Sequence, residues 1–396
     1  MKKVCVVTGS RADYGLLRGV MARLQVSPIC KLQVIVTGIH LANEFGQTWS
    51  TIDSDGFSID WKVEMLLGSD TEVGVSKSVG LAMLGFSDAY EHLRPDLVLL
   101  LGDRFEIFAA ASSAIIAGIP IAHLHGGEIT SGSLDDTLRH CITKMADLHF
   151  TAAEIYRQRV IQMGENPDKV WCVGGFGVDA ALGVELLEPE ELQTQLGMSL
   201  EGDILLITFH PETGKLVSSV EKQMSELLSA LKVVDAQLIF TMPNADVGGR
   251  VLFEMVRSFV DANPARSCVH TSLGQVAYLS TMALCSGVVG NSSSGIIEAP
   301  AFGVGTVNIG ARQDGRLKAD SVIDCVAERG AISEALDLLL LPETKARNRA
   351  GVKNPYGEGG ASAAVVSVIE RWHAEEKNKI FHDLGKGALE ARRVCG

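Results

Sequence analysis

Short apolar runs rich in β-branched residues recur along this chain, and between them lie longer stretches whose apolar positions repeat at helical spacing. The runs at 4–7, 32–37, 97–101, 119–123, 148–151 and 170–173 form one series, and those at 204–209, 237–241, 267–270, 284–289 and 306–309 form a second. Strands that alternate with helices in this way build βαβ units around a parallel sheet covered on both faces. The pattern predicts an α/β fold of two doubly wound, Rossmann-like domains, 1–180 and 203–360, facing each other across a cleft. The acidic stretch LGVELLEPEELQTQLGMSLEG falls in 181–202 and reads as the connection between them. In 361–396, SAAVVSVIERWHAEEKNKI predicts an amphipathic helix reaching to about 379 and packing back on the first domain. The chain contains no internal repeat, P-loop or GxGxxG fingerprint.

Composition sharpens this picture. At 396 residues the chain is longer than one core usually serves, and 41 glycines with only 6% aromatics suit many tight strand-to-helix turns. A balance of 35 basic against 48 acidic residues argues against nucleic-acid binding, so an anionic ligand must be held locally. The eight cysteines form no CxxC pair and sit mostly in apolar runs, as reduced core residues do. The apolar run after MKK is too short for a signal peptide, and no stretch approaches the roughly 20 apolar residues of a membrane span. The cytoplasm is the expected compartment.

The strongest chemical signal is VGNSSSGIIEAPAFGVGTVNIGARQDGR at 289–316, which reads as strand, polar turn, short helix, strand and basic loop. Gly290 and Gly295 let the backbone turn, while Asn291, Ser292, Ser293 and Ser294 set hydroxyls and N–H groups at the start of a helix near Ile296. Donors and the dipole end there suit a phosphate or diphosphate; Glu298 suits a ribose diol, and Arg312 and Arg316 can close over the charge. An ordinary capped helix is the alternative. A second concentration follows two strands of the first series. LLLGDRFE supplies Asp103 and Arg104, and IAHLHGGEITSGSLDDTLRH supplies His123, His125, Glu128, Asp135, Asp136 and His140. One of Asp135 and Asp136 reads equally well as a helix cap, and Asp103 as a turn residue paired with Arg104. The HxH of His123 and His125 raises a metal site as a minor alternative; a core role for His123 fits better, and no metal or cofactor is expected. In the second series, His210 follows a strand in ITFHPET, and TMPNADVGGR brings Asn244, Asp246 and Arg250. His270 ends the run 267–270, and Arg11 lies in GSRADYG.

The motifs GSRADYG, LLGDRFE, HLHGGEITSGSLDDTLRH, ITFHPET, MPNADVGG, GNSSSGIIEAP and NIGARQDGR together resemble the UDP-N-acetylglucosamine 2-epimerase family, above all its hydrolysing branch. The resemblance implies a GT-B-like fold, with UDP held mainly by the second domain and the sugar between domains. It implies acid/base roles for Asp103 and Asp135, with Asp136 and His210 added to the catalytic set. It implies nucleotide contacts from Arg11, Arg104, His210, Asn244, Ser292, Ser293, Glu298 and Arg312, to which Asp246 and His270 are added. Several family members carry glutamate before GGE where this chain has His125, so both His125 and Glu128 stand for the second catalytic group.

The implied reaction turns UDP-N-acetylglucosamine and water into N-acetylmannosamine and UDP by elimination to a 2-acetamidoglycal and hydration. Proton transfer on both faces of C2 requires two groups, which this cluster can supply. A 2,4-diacetamido-6-deoxy sugar nucleotide is the alternative substrate. A non-hydrolysing epimerase, a glycosyltransferase of the same architecture and a metal-dependent hydrolase are the rival activities. UDP-sugar and UDP are the expected partners, without nucleic acid or membrane, in a homodimer or homotetramer.

Overall fold

Both apolar series form parallel sheets clothed by helices on their two faces, in a computed structural model that describes residues 1–42, 46–68, 71–130, 134–210, 217–242, 249–271, 273–374 and 379–384 (backbone only at 217, 218, 249 and 250). The chain divides into two compact units: Met1–Ala180 with Gly359–Gly396, and Ala181–Glu358. In the first, β1 (Lys2–Thr8), β2 (Cys30–Thr37), β3 (Trp61–Val63), β4 (Leu97–Leu101), β5 (Ile121–Leu124), β6 (Leu148–Thr151) and β7 (Val170–Cys172) lie in the order β3-β2-β1-β4-β5-β6-β7. In the second, β8 (Ile204–Thr208), β9 (Gln237–Thr241), β10 (Ser267–His270), β11 (Gly287–Gly290), β12 (Gly305–Ile309) and β13 (Val322–Cys325) lie in the order β10-β9-β8-β11-β12-β13. The sequence pattern misses β3 and β13, both short strands at sheet edges. The fold is the expected α/β class with two Rossmann-like units.

Period-two alternation explains why these strands are apolar throughout. In β1, Val4 and Val6 pack with Leu17, Leu24 and Val365 on one face, while Cys5 and Val7 pack with Val98, Leu100 and Ile107 on the other. In β8, Leu205 and Ile207 join Leu227 and Leu336, whereas Leu206 joins Met282 and Leu192. Leu192 and Leu196 come from a helix at Pro189–Leu196, so part of the segment read as a connection is core of the second unit. Strand order reverses between β1 and β4 and between β8 and β11, and ligands of doubly wound sheets bind outside the carboxyl ends at such points.

The closing helix is shorter than its amphipathic pattern suggests. It spans Ala361–Arg371 and packs on the helix Arg11–Val26, burying Ala361, Val365, Val366 and Ile369. Trp372 turns extended, and the ammonium of Lys2 accounts for the stop, donating to the carbonyls of Ile369 and Trp372. Beyond it, Lys379 reaches the carboxylate of Glu165 at 2.7 Å. Glu165 is 2% exposed and also meets Lys144 at 2.5 Å and His149 Nε2 at 2.9 Å. Burial alone would raise the Glu165 pKa, but bonds from His149, Lys144 and Lys379 override it and hold the group at about 2.

A carboxylate whose pKa is lower in the folded chain stabilises above its ordinary value, near 4.5, and that contribution is lost as pH falls towards 2. We therefore expect Glu165→Gln to lower the urea midpoint of the protein at pH 7 by an amount that shrinks steadily below pH 4.5. A constant difference across this range would show that the charge is not what stabilises.

Candidate active site

Three carboxyl ends in the first unit, those of β1, β4 and β5, carry its candidate site residues. After β1, Ser10 caps the next helix by accepting from the Asp13 N–H, and Arg11 is exposed in its first turn. Asp13 itself points inward, with Oδ2 buried and without a hydrogen bond. Burial, with the nearby charge of Glu106 and Asp103, raises the Asp13 pKa to about 6, against the opposing effects of the Ser10 bond and Arg104. After β4, Arg104 binds the fully buried Glu106 at 2.6 Å. Asp103, its neighbour, pairs with the guanidinium of Arg139.

Arg139 is the hub of this region. Its side chain is 6% exposed, and besides Asp103 it donates to the Glu128 carbonyl at 2.9 Å, to Thr130 Oγ1 at 3.2 Å and to Asp136 Oδ1 at 3.5 Å. Asp136 also accepts from the Thr130 N–H at 2.6 Å and lies 3.7 Å from His140. Its oxygens therefore hold the loop. Asp135, on the same first turn of Leu134–Met145, has its pKa raised by burial and then by the negative charge of Asp103, against Arg104 and Arg139.

The HxH pair does not face one way. His123 is wholly buried, its Nδ1 at 3.1 Å from Thr143 Oγ1 and its Nε2 at 2.8 Å from the Gly102 carbonyl, and burial pushes its pKa to about 3. It is a core residue that fixes the backbone next to Asp103. His125 lies past the end of β5 at φ +64°, which breaks strand alternation. Its Nδ1 stands 3.2 Å from Glu128 Oε1, and its Nε2 accepts the Phe176 N–H at 3.3 Å. Among the described residues no group of three or more His, Cys, Asp or Glu side chains could hold a metal.

In the second unit the polar turn after β11 is fastened to its neighbours by Asn291. Its Oδ1 accepts the His210 N–H at 2.6 Å, its Nδ2 donates to the His210 carbonyl at 2.9 Å, and its own carbonyl accepts from Arg312 at 2.9 Å and Gln313 at 2.8 Å. Gly290 makes this approach possible: at φ +136°, a Cβ there would lie 2.0 Å from the Thr208 carbonyl oxygen. The helix that follows begins at Ser294 and lasts only to Ile297, so the expected dipole is that of a single turn. Any grip on an anion comes instead from the donors of Ser292 and Ser293, His210 and the exposed Arg312. Burial, then the charge of Arg312, lower the His210 pKa to about 4, which leaves its imidazole neutral near pH 7. Glu298 follows the turn, partly buried, beside the partly buried Tyr278. His270 ends β10, two strands from β8, with Nε2 buried and unbonded. Asn244 and Asp246 lie outside the described residues.

Sequence reasoning passes over Asp13, Glu106 and Arg139 as site-building residues, and it reads Asn291 as a donor to the anion where the structure shows it clasping His210. The i,i+3 spacing of Asp136 and Arg139 was a usable signal; the inward turn of Asp13 was not. Because the folded chain raises the Asp13 pKa from 3.8 to about 6, stability is lost as pH rises between these values and stays lost above them. Asp13→Asn should therefore stabilise the protein at pH 8 by about 1–2 kcal/mol, with the gain vanishing below pH 4, in urea titrations at both pH values. An unchanged or reduced midpoint at pH 8 would contradict it.

A family signature described as UDP-N-acetylglucosamine 2-epimerase matches residues 22–370. The GDP/UDP-N,N'-diacetylbacillosamine 2-epimerase (hydrolyzing) of Campylobacter jejuni is 39% identical over 345 residues, 87% of this chain and 89% of that protein. Polysialic acid biosynthesis protein P7 of Escherichia coli is 37% identical over 385 residues, 97% of each chain. The solved UDP-GlcNAc 2-epimerase of Neisseria meningitidis, bound to UDP-GlcNAc, shares the fold with a TM-score of 0.79 at 17% identity, over 93% of this chain and 99% of that one. By the signature and by the relatives that match along most of its length, the chain belongs to the UDP-N-acetylglucosamine 2-epimerase family, in its hydrolysing branch.

Proposed function

We propose that this hydrolysing 2-epimerase acts on UDP-N-acetylglucosamine and releases N-acetylmannosamine and UDP. The observation that carries the reading is the cluster at the carboxyl ends of β4 and β5, where Asp103 and the loop bearing Glu128 are tied to one buried arginine and Asp135 has a raised pKa. Several carboxylic groups gathered at one place, one of them pushed towards its protonated form, suit a reaction with one proton removed and another returned. In the first step a carboxylate takes the C2 proton as the C1–O bond to UDP breaks, leaving a C1–C2 double bond. In the second, water adds its hydroxyl to C1 while a protonated group delivers a proton to the opposite face of C2. The second unit takes the nucleotide, with Ser292, Ser293, neutral His210 and Arg312 on the diphosphate, where charge grows as UDP departs, and Glu298 on the ribose.

A second reading has its own support. The Campylobacter jejuni relative is named for a diacetylbacillosamine substrate, which favours a 2,4-diacetamido-6-deoxy sugar; the relative named for polysialic acid biosynthesis favours N-acetylmannosamine as product. Both substrates would share the elimination and differ at C4 and C6.

An NMR time course with each UDP-sugar in deuterated water tests both readings. The expected result is free UDP together with deuterium at C2 of a released, C2-inverted sugar, with UDP-N-acetylglucosamine turned over faster. UDP-bound sugar epimerised without UDP release, or product lacking deuterium, would overturn the hydrolytic elimination. Asp103→Asn should lose on the order of 10²-fold or more in kcat while UDP binding persists.

A further inference from the structure

His125 and Glu128 compete for one role in the proposed reaction, and the hydrogen bonds around them decide between the two. We infer that His125 is a positioning residue that presents an Nδ1–H to Glu128, and that Glu128 carries the proton to or from C2. The inference rests on the proposed function and deepens it.

The argument begins with the backbone. His125 sits at φ +64°, a conformation unfavourable for a residue with a Cβ and one that concentrates where structure is held for a purpose. The turn swings the ring away from His123 and against Phe176, with ring centroids 5.2 Å apart. There Nε2 lies 3.3 Å from the Phe176 backbone nitrogen. A backbone N–H can only donate, so Nε2 must be the bare nitrogen. A neutral imidazole has one proton, which therefore sits on Nδ1, 3.2 Å from Glu128 Oε1. Both ring nitrogens are thus committed. To accept a proton from substrate, His125 would have to give up its bond from Phe176.

Glu128 is built for the opposite duty. Between the two residues the chain turns through Gly126 and Gly127, and a Cβ on Gly127 would lie 2.4 Å from the Tyr156 carbonyl oxygen. Arg159 donates to the Gly127 carbonyl and Arg139 to the Glu128 carbonyl, so the backbone is anchored from two helices. The side chain is 9% exposed, and the backbone carbonyl of the same residue is held by Arg139, the partner of Asp103. At 3.2 Å the His125 ring lies close enough to Oε1 to orient the carboxylate, the group that exchanges protons readily.

Long-range proton–nitrogen NMR of the uniformly labelled wild-type protein, with His125 assigned by the His125→Asn variant, tests the tautomer directly. At pH 7.5 the neutral ring protonated on Nδ1 is expected; an Nε2–H tautomer or an imidazolium would overturn the inference. In kinetics, Glu128→Gln should lower kcat by about 10³-fold, within the usual range for a proton-transfer group. His125→Asn keeps a donor near the Nδ1 position and tolerates positive φ, so its loss should be about tenfold or less with the pH–rate limbs unmoved. If His125→Asn fell as far as Glu128→Gln, or lost a limb of the pH profile, His125 would be the proton carrier. A wild-type enzyme that releases no UDP from either sugar would count against the proposed function alone, because the tautomer is measured without turnover.

Discussion

A single buried guanidinium sets the geometry of the first unit. Arg139 has almost no contact with solvent, and a cation in that position is tolerable only with partners for its N–H groups. Those partners come from the residue after β4, from the loop after β5 and from its own helix. The requirement to satisfy one charge therefore locks three chain segments into a fixed relation. Preorganisation of this kind lets acidic groups sit close together before any substrate arrives.

The second unit reaches a comparable rigidity without a buried charge. Asn291 uses its amide to clasp the backbone of His210 and its carbonyl to hold Arg312 and Gln313. The turn is thus a lattice of neutral hydrogen bonds with one exposed cation at its edge. Under the proposed function this surface would hold the diphosphate yet release it, since little of the attraction is concentrated in a buried ion pair.

Much of this architecture was legible in the sequence because burial on both faces forces strands to be apolar. β4, β6, β9 and β10 stand where the apolar runs are. β3 and β13 were hidden because edge strands need not be apolar: Lys62 and Asp324 are exposed within them. The last helix was overestimated because amphipathic spacing continues past Arg371, while what ends the helix is the Lys2 ammonium, more than 360 residues away in sequence. At the site, the placement of Asp103, His210 and Arg312 just after strands was readable. The inward turn of Asp13 and the positive φ of His125 were not, because spacing carries neither the direction of a side chain nor a local departure of the backbone.

The division of the chain has a consequence for its synthesis. The first unit is made of Met1–Ala180 and Gly359–Gly396, interrupted by the whole of the second. Val365 and Ile369 are core residues of that first unit, so it leaves the ribosome with a groove along Arg11–Val26 that nothing yet fills. At usual elongation speeds the missing helix follows roughly 10–40 s later. The whole of the second unit is made during that interval, while the earlier-made half waits with apolar surface open to chaperones.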